Sequence, residues 1–449
     1  MAFSSLPFCS LSWQLIRVNL YLSKFARPVQ VACFAFPLLG GVSLQAADWP
    51  QFRGPNRDAV WNETGLLKSF PLGGLKVRWR KPVGWGWSSP VIAQGRVFLT
   101  DSELSHPWAK ERIRCFEETT GKSLWSYAYE GAHSEWAFSL EHGGGPASTP
   151  IAEGGKVYML GGSGHVHCLD ARTGALLWEN NLGREYEIRE LNCRTSPLIE
   201  GNHLILLAGA KPGACVLALD KKTGKEVWKA LAESISNSSP IIIKAGGKRQ
   251  LIVWTGESVT SLDPATGAPY WREPITTSTN DSTPAPVLEN NRLLISGLML
   301  ELDAHQPSAK VLWPESKAFS KRILSNTSTP LLQGGYVYSA KSSGELVCLD
   351  AATGNQIWHT NTVTGLTTGA SIHLTANRDR VFLFTDQNDL ILAQLTPQGY
   401  DEISRARLLA PTSPFGSRKF AWTPPSYANR HVFARNDEEL VCASLAAMP

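Results

Sequence analysis

His165-Val166-His167 places two imidazoles two residues apart. On a strand they share one face, a spacing that serves a metal ion once a third donor joins. No third donor is evident, so the pair reads as partly exposed surface histidines. Glu141 and His142, close to Trp136 in a Gly-rich stretch, form a second candidate, an acid–base pair with no nucleophile beside it. The cysteines offer less. Eight occur, none in a CxxC, vicinal or haem-type pattern, and six lie beyond residue 47. Cys193 and Cys215 are the one pair considered for a disulfide in an oxidising compartment. Cys115, Cys168, Cys348 and Cys442 recur at one position of a repeat, as a small buried strand residue does. None of these sets completes a catalytic or metal constellation, so no catalytic, cofactor or metal residue is assigned.

The elements that must position such residues are set by an internal repeat. One unit recurs: Ser/Thr-Pro, an apolar strand, a Gly turn, a second strand, then Leu-Asp-x-x-Thr-Gly and a Trp. Asp170, Thr173, Gly174 and Trp178 form one copy, and Asp350, Thr353, Gly354 and Trp358 another. Asp220 to Trp228 and Asp263 to Trp271 are further copies, with a degenerate one at Glu118, Thr120, Gly121 and Trp125. The repeat tryptophans Trp79, Trp125, Trp178, Trp228, Trp271, Trp313 and Trp358 are 42 to 53 residues apart, which suits four short strands per unit. Helical repeats of that period are excluded by alternating segments such as Lys156-Val157-Tyr158-Met159-Leu160, punctuated by Gly-Gly and Thr-Gly. The Asp accepts hydrogen bonds from the turn that follows it, the Gly supplies a positive φ, and the Trp buries a large ring between neighbouring units.

Eight starts are counted: Ser89, Thr149, Ser196, Ser239, Thr283 and Thr329, each before a Pro, then a weaker Ala370-Ser371 and a last Thr423-Pro424. The last unit ends before its Trp strand, whereas Leu75 to Trp79 is a Trp strand with no unit before it. Pairing the two closes a ring without a free edge. The expectation is therefore an all-β, eight-bladed propeller of four-stranded antiparallel blades over residues 75–449, closed by its N- and C-terminal segments. Seven or nine blades stay open, because the fifth unit has Gln306-Pro307 in place of Thr-Gly and the seventh has no Trp.

Residues 1–47 read as a signal peptide: Arg17, Lys24 and Arg27, an apolar run from Val29 to Leu44, then Gln45-Ala46-Ala47. An uncleaved anchor is the alternative. Lipidation at Cys33 is rejected, since almost no apolar run precedes it. Residues 48–74 are read as a strap leading into the propeller. Removing the three basic residues lowers the net charge from +4 to +1, so nucleic acid and anionic lipid have no electrostatic claim as partners. Localisation follows as periplasmic or extracellular, with no membrane span after cleavage.

In a propeller the segments before the inner strands converge on one mouth of the central channel. Here they differ from unit to unit and offer Trp85, Arg194, Asn237, Asn280, Asp281, Asn326, Lys419 and Trp422 as a candidate binding mouth. The competing reading is that these polar groups bond their own turns and channel waters.

With these motifs the chain resembles the pyrroloquinoline quinone (PQQ)-like β-propeller repeat superfamily over Leu75 to Leu445. Asp48-Trp49-Pro50-Gln51-Phe52-Arg53-Gly54-Pro55-Asn56 and Gly143-Gly144-Gly145-Pro146 are similar to exported PQQ-binding-like proteins related to the outer-membrane assembly factor BamB. The resemblance implies either of two functions. The non-catalytic branch holds protein partners in the cell envelope and needs no cofactor. The quinoprotein dehydrogenases bind PQQ and Ca²⁺ in the funnel, using an adjacent Cys-Cys disulfide, which this chain lacks. The expected function is a binding or assembly module for a protein or peptide partner, or a small polar ligand, with a PQQ-dependent oxidoreductase as the alternative.

Overall fold

The computed structural model describes residues 48–447 apart from 107, 132, 134, 139–143, 189–192, 276–281, 315–323 and 416. Residues 1–47, which carry the expected signal peptide, lie outside the described residues.

Thirty-two strands form eight four-stranded antiparallel sheets, each ordered as the chain runs except the last. Blades 1 to 7 span residues 91–131, 151–181, 198–230, 241–274, 287–313, 331–360 and 372–407. Blade 8 takes three strands from residues 426–444 and its fourth from Val77–Pro82, where Trp79 lies opposite Cys442 and Arg80 opposite Val441. The ring closes by the pairing of chain ends that the repeat count requires, and the number of blades is eight. The weak start at Ala370-Ser371 does open a blade, on the strand Ile372–Asn377.

Four antiparallel strands return the chain to the face where it began. All inner strands therefore start on one face of the ring, and the Leu-Asp-x-x-Thr-Gly turns lie on the other. The inner strands approach one another across neighbouring blades, as Val91–Ala93 does with Ile151–Glu153 and Ser426–Ala428. Apolar side chains fill the layers between blades: Tyr158, Leu160 and Val166 of blade 2 meet Leu204, Leu206 and Leu217 of blade 3. Burial between sheets explains strands that are apolar on both faces, such as His203–Ala210.

The turn chemistry behaves as the repeat demands. Asp170 Oδ1 accepts from the backbone N–H of Arg172 and Thr173 and from the Thr173 hydroxyl, and Asp220 and Asp350 repeat the pattern. The glycine has a second duty. Gly224 has φ +72°, and a Cβ there would come within 2.5 Å of the Trp178 ring of the preceding blade. Trp178 Nε1 donates to the Lys221 carbonyl of the same turn. One blade's Trp thus docks on the next blade's Thr-Gly turn, at Trp79 on Gly121, Trp125 on Gly174, Trp228 on Gly267 and Trp313 on Gly354 as well. Where the fifth unit lacks the glycine, the Trp271 indole turns to Gln250 Oε1 of its own blade. Across the sheet six of the repeat Trp face a small residue, Cys115, Cys168, Ala218, Ser261, Cys348 or Cys442, and Trp313 faces Met299.

Gly224→Val should destabilise the protein by roughly 2–4 kcal/mol, since it adds left-handed backbone strain to a displaced Trp178. Gly73, with nothing near its Cβ position and no positive φ, should tolerate alanine within about 0.5 kcal/mol. Urea midpoints of the two variants test the docking, which equal midpoints would refute.

Candidate functional site

A hydrogen-bonded girdle joins the starts of the inner strands around the channel. Ser89 N–H donates to Thr149 Oγ1 (3.0 Å), Thr149 N–H to Ser196 Oγ (3.1 Å), and Ser196 N–H to Ser239 Oγ (2.9 Å). Ser238 Oγ then reaches the Pro284 carbonyl, and Thr283 N–H the Asn326 carbonyl. Ile372 N–H donates to Ser328 Oγ, His373 Nε2–H to the Trp422 carbonyl, and Ser89 Oγ to the Pro424 carbonyl. The Ser/Thr-Pro start is thereby accounted for. Proline ends each bonded step without offering an N–H, and the hydroxyl before it ties adjacent blades.

The candidate mouth residues lie on or beside this girdle. Asn237 and Asn326 contribute backbone groups to it, and the Asn326 Oδ1 is buried without a hydrogen-bond partner. Trp85 pairs through its backbone with Ser102. Arg194 lies over the ring of Trp87 at 5.5 Å, and Trp87 meets Trp422 edge-on at 6.1 Å. Lys419 is exposed on a two-stranded hairpin, Ser413–Phe415 with Arg418–Phe420, on the connection from blade 7 to blade 8. Asn280 and Asp281 lie outside the described residues, as do Glu141 and His142.

Two aromatic residues of this mouth were not singled out in the sequence. Trp87 links Arg194 to Trp422, and Phe415, 44% exposed, packs on both Phe420 and Trp422. The hairpin signal was present in Gly416-Ser417 between Ser-Pro-Phe and Arg-Lys-Phe. Its base is fixed by Asp437, whose carboxylate accepts from Thr412 Oγ1 (2.9 Å), Ser413 Oγ (2.6 Å) and Gly86 N–H (3.3 Å). Trp422 Nε1 donates to the Gly369 carbonyl, tying the mouth to the end of blade 6.

A second cluster joins blades 1 and 2. Glu111 is buried, and its carboxylate accepts from the Tyr129 hydroxyl, from His133 Nε2 (3.0 Å) and from Gly162 N–H (3.2 Å). Burial pushes its pKa up, but these donors outweigh burial and hold the carboxyl below its usual range. His167, expected at the surface, is instead 1% exposed, because its strand faces blade 1 and its ring packs on Tyr127 and Tyr129. Burial and the neighbouring His165 lower the His167 pKa to about 4. Cys193 and Cys215 are both buried free thiols, with no disulfide between them.

On the opposite face, residues 48–70 cross the end of the channel. Trp49 pairs with Ile92 of blade 1, Ala152 N–H of blade 2 donates to the Pro50 carbonyl, and Trp61 N–H donates to Ala376 of blade 7. Arg57 reaches the Ser196 and Pro197 carbonyls of blade 3.

The family described as "Outer membrane protein assembly factor BamB" matches residues 109–360 and 301–401. The chain belongs to this family. A BamB of Burkholderia pseudomallei is 26% identical over 239 residues, half of this chain, and the chain spans 58% of that relative's length. Among solved structures, BamB from Moraxella catarrhalis superimposes with a TM-score of 0.56 at 18% identity, over 82% of this chain and 99% of that one. Quinohemoprotein alcohol dehydrogenase from Comamonas testosteroni gives the same TM-score at 15% identity, over 90% and 81%. Structural likeness at these identities fixes the propeller and does not separate the two kinds of function.

PQQ with Ca²⁺ requires anionic ligands in the funnel. Here the strap delivers two guanidiniums, Arg53 and Arg57, and no three His, Cys, Asp or Glu side chains gather as a metal site among the described residues. The described residues do not fit that group. No helix among the described residues is long and apolar enough to cross a membrane.

Proposed function

We propose that this propeller is an exported, non-catalytic binding module of the cell envelope that holds a protein partner at the channel mouth. The observation that carries this reading is the hairpin at residues 413–420. It belongs to no blade, yet Asp437 anchors it, and it presents the exposed Phe415, Arg418 and Lys419 beside the half-buried Trp422. A propeller has no structural need of an exposed phenylalanine there. Exposed aromatics flanked by arginine are the side chains that dominate protein interfaces. Kinship with a family described by an assembly role in the outer membrane supports the same reading. An extended peptide carrying acidic and aromatic residues suits this surface, with Arg194 and Trp87 as the far wall.

The test is a triple substitution, Phe415→Ser with Arg418→Glu and Lys419→Glu. All three side chains are exposed, so Tm should stay within a few degrees. Partners cross-linked to the wild-type protein in its native envelope should be lost with the variant. Trp422 is a poorer probe, because its ring also holds the hairpin to blade 6. Unchanged cross-links would move the binding surface to the blade edges. Reduction of an artificial electron acceptor by the purified protein with PQQ and Ca²⁺ would favour the oxidoreductase instead.

A further inference from the structure

The strap carries two buried cations into the channel, and no carboxylate pairs with either among the described residues. Arg53 donates from Nε to the Arg57 carbonyl (3.2 Å) and from Nη2 to the Asp58 carbonyl (3.1 Å). Arg57 donates to the Pro197 and Ser196 carbonyls and to Gln51 Oε1. All of these acceptors are neutral. A guanidinium offers five N–H donors, and Arg57 Nε is buried with no partner. The carboxylate that acts on Arg53, Asp58, is itself exposed and accepts from Val60 N–H.

Burial lowers the Arg53 pKa to about 10, and burial together with Arg53 lowers that of Arg57 to about 9. Both groups therefore stay charged at neutral pH, two like charges in a site screened from water. Removing charge from water without a counterion is among the costlier arrangements a fold can hold. A small cavity adjoins Arg53, bounded by Trp49, Phe52, Thr329, His373 and Thr375. Its volume of about 20 Å³ leaves room for one occupant the size of a water molecule. Burial drives the His373 imidazole down to about 4, so at neutral pH the wall adds no further charge.

We propose that this cavity is a binding site for one halide ion, held by Arg53 beside Thr329 and Thr375 in a largely apolar wall. The anion neutralises part of the charge that the strap brings into the channel, so binding and docking of the strap are coupled. The site lies on the channel side of the girdle, against Thr329, His373 and Pro424, and the proposal does not depend on the partner surface proposed above.

The test uses the purified protein in sodium gluconate, whose anion is too large for the cavity. Chloride is then titrated at constant ionic strength. Tm should rise along a saturating curve, by about 3–5 °C at chloride a hundredfold above its Kd. Bromide should act likewise, and formate and sulfate should not. Arg53→Gln should abolish the increment, and bromide in crystals of the wild-type protein should give an anomalous peak beside Arg53, a readout that does not require the variant to fold. Equal Tm in gluconate and chloride, or a bromide-free cavity holding water, would overturn the proposal.

Discussion

Removing the chain from Thr423 onward should leave a protein that aggregates and shows no cooperative melting. The deleted segment supplies the three strands Ser426–Ala428, His431–Arg435 and Glu439–Ser444 of blade 8, so Val77–Pro82 loses its only strand partner. Tyr427, Val432, Phe433, Leu440 and Val441 leave the cluster that also holds Trp49, Trp61 and Trp79. Each such side chain contributes roughly 1.5–3 kcal/mol by burial, so the five together match the roughly 5–15 kcal/mol that stabilises a typical fold. The girdle opens at the same point, because Ser89 Oγ to Pro424 and Ser426 Oγ to Pro90 are its links between blades 8 and 1. The apolar faces of blades 7 and 1 are then uncovered, and Val77–Pro82 is left as an unpaired edge. Calorimetry and light scattering decide the matter. A soluble truncation melting at the wild-type temperature would show that the closure contributes nothing.

Stability should also fall steeply as pH drops from about 6.5 to about 4, before most surface carboxylates protonate. Burial and repulsion from Arg53 hold His373 neutral with a pKa of about 4, against the opposing pull of its Nε2–H bond to the Trp422 carbonyl. Burial and His165 hold His167 at about 4 too. Above pH 6.5 both imidazoles are neutral whether the chain is folded or unfolded, and neither affects the balance. Between 6.5 and 4 the unfolded chain takes up these protons and the folded one does not, so the unfolded state gains. A depression from 6.5 to about 4 corresponds to about 3 kcal/mol for His373, and to a similar or smaller amount for His167. Glu111 adds loss only at lower pH. Its folded-state pKa lies below 4.5, so its contribution is present above that value and vanishes as pH falls through the lower one. Urea unfolding at a series of pH values should give a slope near two protons between pH 6 and 4.5. His373→Gln, which keeps a donor for the Trp422 carbonyl, should remove about one of them. An unchanged slope in both His373→Gln and His167→Gln would assign the acid sensitivity to carboxylates.

The sequence by itself determined the propeller and its closure, and it pointed to eight blades while leaving seven or nine open. Each rests on chemistry confined to a few neighbouring residues: Asp170 bonding its own turn, a glycine at positive φ, strands alternating over four or five positions. Five copies of that turn and eight strand starts leave little freedom in the ring. Even the orphan Trp strand at residues 75–79 announces its partner, because a strand without a unit and a unit without a strand must meet.

What the tertiary structure decided are contacts made across one blade or across the whole ring. The glycine of Thr-Gly reads locally as a turn residue, and only the packed blades show Trp178 seated on Gly224. Ser89, Thr149 and Ser196 read as strand starts, yet their hydroxyls join consecutive blades, a relation that spacing of 47 to 60 residues does not display. His167 looked like a surface residue because its alternation does not reveal that blade 1 covers it. Arg53 and Arg57 carried no sign of burial, since a polar strap segment before the first repeat is ordinarily solvated. They are buried because the channel is open at that end and the strap is the chain nearest to fill it. The grouping of Trp87, Phe415 and Trp422, whose members lie up to 335 residues apart, exists only because blade 8 closes against blade 1.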